Sequence, residues 1–173
     1  MKKLLIVLTV LLSINAQAGV FQIKLQPVSF LIGLTNVELG YGVDALTFVA
    51  GGASADITLA NDNVKITEVH AGVDYMLTKG WYVGAHASRI DLTLTQTNSS
   101  STELTGEATA TGLVGRFGYR WQWPSFFMEL GAQYASYSFD KLVLKSSDGS
   151  TSKDEDVPNV AGAGLDFRLG WVF

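Results

Sequence analysis

His86-Ala87-Ser88 is the one stretch of the chain whose residue types and spacing suggest catalysis. A histidine base two residues before a serine puts both side chains on one face of a strand, ~6–7 Å apart at a rise of ~3.3 Å per residue. Side-chain rotation can narrow that gap to a hydrogen bond, the arrangement an activated nucleophile needs. Glu103 lies downstream as a candidate third member. His70 and His86 could both bind a metal, with Asp74 or Glu68 as a further ligand, and the acidic run Asp154-Glu155-Asp156 could in principle bind a cation, although such a run reads first as a solvated loop. A zinc site takes three or four convergent ligands, so two histidines on neighbouring strands read first as polar lining, and no metal is expected. The chain has no cysteine, which removes thiolate metal sites and disulfides. No phosphate-cradling glycine loop is visible, and no cofactor is expected.

The elements that would hold these residues alternate apolar and polar side chains at period two, the mark of strands with two unlike faces. Eight such segments run through residues 20–32, 36–43, 46–59, 64–77, 81–95, 104–123, 126–144 and 160–173. The last is the clearest. Leu165, Phe167, Leu169, Trp171 and Phe173 share one face, with Asp166, Arg168 and Gly170 between them. Links of two or three residues at Asp44-Ala45, Thr78-Lys79-Gly80 and Pro124-Ser125 read as tight turns. They alternate with links at 33–35, 60–63, 96–103 and 145–159, the first of them short and the rest lengthening along the chain and becoming polar. Short turns at one end and longer loops at the other are the pattern of transmembrane barrels. The expected fold is therefore all-β, an eight-stranded antiparallel up-and-down transmembrane β-barrel with both termini periplasmic.

Residues 1–18 read as a cleavable signal peptide: Lys2 and Lys3, an apolar run from Leu4 to Leu12, then Ala16-Gln17-Ala18 as an A-x-A site. Residues 19–173 form one barrel domain. Twelve basic residues against sixteen acidic ones offer no basic patch for nucleic acid. Beyond the leader no apolar run is long enough for a transmembrane helix, although mean hydropathy is +0.23. Trp81, Trp121, Trp123 and Trp171 all fall at the predicted periplasmic end, with Phe126, Phe127 and Phe173 beside them. Amphipathic rings favour the membrane interface, so Trp81, Trp121, Trp123, Phe126, Trp171 and Phe173 are expected to form an aromatic girdle. Tyr137 and Phe139 are candidates for the opposite girdle.

If the apolar faces meet lipid, their neighbours face a lumen. The charged inward set is then Lys24, Arg116, Arg120 and Arg168 against Glu38, Glu68, Asp74, Glu129 and Asp166. An eight-stranded barrel is just wide enough for side chains to fill, so these groups are expected to pair and plug it.

The signal peptide, strand count, loop asymmetry, aromatic rim and terminal Phe173 together resemble the small eight-stranded bacterial outer-membrane β-barrels, with the architecture of the OmpA transmembrane domain and of OmpX. The resemblance implies a monomer in the outer membrane, in contact with outer-membrane lipids and lipopolysaccharide. It also implies that the closing strand, ending in Phe173, is read by the barrel-assembly machinery. His86-x-Ser88 with Glu103 is similar to the pair of outer-membrane lipid A deacylases, but that motif continues with Asn where this chain has Arg89. Such folds host many activities, so fold alone does not assign one. The leading expectation is a non-enzymatic barrel with an ion-paired lumen, acting in envelope structure or in surface interaction through residues 96–103 and 145–159. The alternatives are a lipid A-modifying hydrolase and a narrow channel for small solutes.

Overall fold

A computed structural model describes residues 19–31, 33–59, 62–78, 80–97, 103–146 and 152–173. The expected signal peptide and part of both long loops lie outside the described residues. Among the described residues ten strands form: β1 (Val20–Leu25), β2 (Leu34–Val43), β3 (Leu46–Leu59), β4 (Asp62–Thr78), β5 (Trp81–Thr97), β6 (Glu103–Gln122), β7 (Phe126–Phe139), β8 (Leu142–Ser146), β9 (Ser152–Glu155) and β10 (Val160–Val172). One helical turn, α1 (Pro27–Leu31), follows β1. All described pairings are antiparallel. They run β1-β2-β3-β4-β5-β6-β7-β10 and back to β1, an eight-stranded closed ring.

The lower rim carries the tight turns and both described chain ends. Asp44 takes a positive φ of 54° in the β2–β3 turn, a conformation short polar residues tolerate, and Gly80 takes 104° in the β4–β5 turn. At the β6–β7 turn the Trp123 amide donates to the Phe126 carbonyl at 2.8 Å across Pro124-Ser125. The ring closes beside it, where Gln22–Leu25 pair with Leu169–Val172 and the Phe173 amide donates to the Phe21 carbonyl.

The barrel is apolar outside and charged within. Outward on β4 stand Leu77, Tyr75 and Val69, followed upward by Thr67 and Lys65. On β5 the outward series runs from Trp81 and Val83 through two alanines to Arg89 and Asp91. On β7 it runs from Phe126 through Leu130 and Tyr134 to Ser136 and Ser138. Each series is apolar for about eight residues, or ~20 Å of height at a typical strand tilt. The turnover to polar residues marks the top of a belt close to the ~25 Å of lipid-facing barrels. Above it Arg89 and Thr109 hydrogen-bond Asp91, holding its carboxyl below the ordinary carboxylate range.

Three features differ from the sequence reading. The first segment does not stay extended to residue 32. Pro27 has no N–H to give a ladder and a φ suited to a helix start, so β1 stops at Leu25 and α1 turns inward. Gln26 anchors that turn: Ser29 Oγ and Asn36 Nδ2 donate to its Oε1 at 3.0 and 2.9 Å, and its Nε2 donates to Asp166 Oδ1 at 3.3 Å. The stretch 145–159 is only partly a loop, since β8 pairs with β6 above β7, and β9 pairs with β8. Tyr137 is not an outer-girdle residue; it lines the lumen, and Phe139 shares its parity. Tyr134 stands on the outer face instead.

Leu130 sits midway up the belt, so its surroundings report the solvent around the barrel. Leu130→Arg is expected to cost about 2–4 kcal/mol in lipid vesicles, and Ser138→Arg above the belt about 0–1 kcal/mol. Urea titration followed by heat-modifiable gel migration measures both. Equal, negligible costs would indicate that water, not lipid, surrounds the belt.

Candidate functional site

The strand period turns every second residue into the lumen. Lys24, Glu38, Asp74, Arg116, Arg120, Glu129, Asp166 and Arg168 are all buried there. They connect into one network. Lys24 Nζ lies 2.8 Å from Asp74 and 3.6 Å from Glu129. Arg120 bonds the same Glu129, which is opposite it in register. Arg168 reaches Asp166 at 2.7 Å, Glu38 at 3.3 Å and Glu129 at 3.8 Å. Arg116 donates to Glu38 at 2.9 Å. Each carboxylate of this network meets at least one cation, which is the condition for keeping charges out of water.

Phe127 fills the floor. Its side chain is fully buried, with the Arg120 guanidinium 4.3 Å and the Lys24 ammonium 5.9 Å from the ring centre. Sequence reading grouped Phe127 with the rim aromatics; its parity with Glu129 was the signal that it points inward. The ring also explains Gly170 on β10, where any side chain would run into Phe127.

Trp81, Trp121, Trp123, Phe126, Trp171 and Phe173 gather at the lower rim. Trp81 stacks on Phe117 at 5.1 Å, Tyr119 meets Trp121 edge-on at 4.8 Å, and Phe126 bridges Trp123 and Trp171 at 5.6 and 5.7 Å. The Trp81–Phe117 and Phe126–Trp171 contacts run across strands, so they tie neighbouring strands together as well as covering the rim.

His86 and Ser88 both point inward, but each has another partner. His86 Nε2 lies 2.8 Å from Asp74 Oδ1, and its buried Nδ1 has no hydrogen-bond partner. Ser88 Oγ donates to Glu68 at 2.6 Å. Glu103 pairs through its backbone with Thr97 at the top of the β5–β6 ladder, far above Ser88, which is opposite Gly112. The structure thus does not assemble His86, Ser88 and Glu103 into a nucleophilic site. His70 Nε2 lies 3.1 Å from Glu38 and its Nδ1 3.8 Å from Glu68. No cluster of three or more metal-ligating groups occurs among the described residues.

Above the network lies a cavity of about 280 Å³, lined by Asn36, Glu68, His70, Arg116, Gln133 and Tyr137 among others. Sequence reading did not find it, because its far wall is α1, which no periodicity announced.

No protein-family profile matches the sequence, and no curated protein matches it. Solved structures do match in shape. The N-terminal β-barrel domain of OprF from Pseudomonas aeruginosa aligns with a TM-score of 0.50 at 12% identity, over 89% of this chain and 97% of that domain. A major outer membrane protein from Thermus thermophilus aligns at 0.51 and 12%, over 91% and 100%. Neisserial surface protein A aligns at 0.50 and 12%, over 91% and 98%. The molecule therefore has the fold of the small outer-membrane β-barrels. At such low identity the likeness speaks for architecture alone.

Breaking the network at one end leaves an unmatched buried charge. Lys24→Met is expected to destabilise the barrel by about 3–5 kcal/mol, with Asp74 and Glu129 left facing each other. The Lys24→Met/Asp74→Leu double variant should be less destabilised than the two single costs added together. Urea unfolding of the three variants measures the coupling.

Proposed function

We propose that the protein is a non-enzymatic, integral outer-membrane barrel whose lumen is closed to ions, and whose upper β8–β9 extension is its surface-exposed interaction element. The observation that carries this reading is the floor formed by Phe127, Arg120, Glu129, Lys24 and Arg168. Charges held in mutual pairs leave no continuous water path, and moving one would strand its partners. The apolar outer belt and the aromatic lower rim support placement in a bilayer, with that rim on the periplasmic side. The proposal includes cleavage after Ala18, lipid and lipopolysaccharide as neighbours, and a monomer inserted by the barrel-assembly machinery through the closing strand. No cofactor or metal enters it.

Each part of this reading has its own expected outcome. Membrane fractionation should place the protein with outer-membrane markers, and mass spectrometry should find Gly19 as its first residue. Pure folded protein should be silent in planar bilayers; steady single-channel current from the wild type would overturn the plug. Lipid A from a deletion strain should match that of the parent, as should lipid A from a strain with Ser88→Ala. A lipid A species lost in both would restore the hydrolase. Deleting Phe173 should lower the yield of heat-modifiable barrel in membranes; normal insertion would remove the closing strand as the assembly signal.

A further inference from the structure

The lumen charges do not balance. Four cations, Lys24, Arg116, Arg120 and Arg168, share the lumen with five acids, Glu38, Glu68, Asp74, Glu129 and Asp166. The excess is local. Arg116 and Arg168 answer Glu38, Lys24 answers Asp74, Arg120 answers Glu129, and Arg168 also answers Asp166. Among the described residues no lysine or arginine meets Glu68. Ser88 Oγ donates to its Oε1 at 2.6 Å. His70 Nδ1 is 3.8 Å away, and the other nitrogen of that ring is turned to Glu38. Glu68 Oε2 has no hydrogen-bond or ion-pair partner among the described residues.

Glu68 is also the lumen acid that open space reaches. Its side chain is 21% exposed, against 3% or less for the other four. The space is the cavity of about 280 Å³, which Glu68 lines together with Leu34, Ala53, Val114 and Tyr137. At ~30 Å³ for each water, that is room for about nine waters.

The register explains why this carboxylate has apolar neighbours. Below Glu68 on β4 the inward residues are His70, Gly72 and Asp74; above it they are Ile66 and Val64. Ala53 is opposite Glu68 on β3, Ile90 is opposite it on β5, and Leu92 is opposite Ile66. Ile66, Ile90 and Leu92 are half-buried. On the outside of the same tier stand Lys65, Thr67, Arg89 and Asp91. The apolar residues here therefore face the lumen, the reverse of the belt below. Glu68 sits at the boundary, with charge pairs beneath it and an apolar wall above. A carboxylate held away from bulk water is costly until a cation meets it, and an eight-stranded barrel has room for one small ligand.

We propose that this cavity is a binding site for a small organic cation, a primary ammonium on a compact apolar body the size of a benzene ring. The ammonium donates to Glu68 Oε2 and completes the charge balance of the lumen. The body lies against Leu34, Ala53, Val114 and the Tyr137 ring. Glu68 repels anions, and a neutral analogue leaves its charge unanswered. A metal ion finds a single free carboxylate where it needs several converging ligands; no cluster of three or more occurs among the described residues. The cavity lies above the floor, so current through the barrel would overturn the plug without touching this site.

The test uses the full mature chain in lipid nanodiscs, with the amide NMR shifts of Gly112 and Val114 as readout. The probe is 2-phenylethylamine. Comparisons are 2-phenylethanol, which lacks the charge, ethylamine, which lacks the body, 3-phenylpropanoate and calcium chloride. The amine should give saturable shifts, with 2-phenylethanol and ethylamine at least tenfold weaker and the other two silent. Glu68→Gln should lower affinity for 2-phenylethylamine at least tenfold, to the level of 2-phenylethanol, and leave the alcohol unchanged. Ala53→Leu, which adds bulk to the cavity wall, should weaken the amine and the alcohol alike. Heat-modifiable migration shows that each variant is folded, and the wild-type probe series decides the question without any variant. Equal binding of 2-phenylethanol or 3-phenylpropanoate would overturn the ammonium assignment. Ethylamine or calcium acting as well as 2-phenylethylamine would overturn the apolar pocket. A folded Glu68→Gln barrel that still prefers the amine would overturn the role of Glu68, and no saturable shift with any probe would overturn the site.

Discussion

A β-strand placed in hydrocarbon must give every N–H and C=O a partner, and an open sheet has two edges that cannot comply. Curling the sheet until β1 meets β10 removes most of that penalty, and the other features follow from it. Closure at eight strands leaves an interior only as wide as opposed side chains. The strand period then sends one residue in two into that narrow space. The outer belt is apolar, so the polar half of each strand lies inward, and charge is admissible there only as pairs. The inverted polarity of this molecule is thus a consequence of ring closure, and so are the lumen glycines that give Asp74, Phe127 and His86 somewhere to lie.

Closure is uneven around the ring. β5 is paired with β6 along its whole length, from Trp81 opposite Tyr119 to Thr97 opposite Glu103. β1 and β10 meet only near the lower rim, which the aromatic contacts of Trp171 and Phe126 reinforce. The strength of the wall therefore falls with height on one side, just where Gln26 ties a helical turn across the gap.

What was legible in the sequence was whatever a period of two reveals. Alternation assigned Lys24, Glu38, Arg116, Glu129 and Arg168 to one face without knowledge of any contact, because the side of a strand is a local property. Tight turns fixed which end was which. Partnership was not legible: Arg168 reaches Glu38 across 130 residues, and only the way the ring closes decides that. The helical turn was hidden for a similar reason, since Pro27 alone is compatible with an edge strand and its fate depends on the distant Asp166. The sequence ran β7 and most of β8 together as one segment, 126–144, and β9 was hidden because its strand character comes from pairing with β8, not from alternation. The pairing of His86 with Asp74 rather than Ser88 shows the same limit, because Asp74 reaches it from the neighbouring strand.

The separation between the partners of the charge network has a kinetic meaning. Arg120 and Glu129 come together as soon as one hairpin forms. Lys24 meets Glu129, and Glu38 meets Arg168, only when the first strands reach the last, the contact of greatest loop-closure cost. Until then those side chains stay hydrated on an unfinished sheet. The final zippering step therefore desolvates these groups together with their partners and seals the floor. The floor of a barrel assembled this way becomes dry only as the first strand meets the last, while the cavity above it stays open.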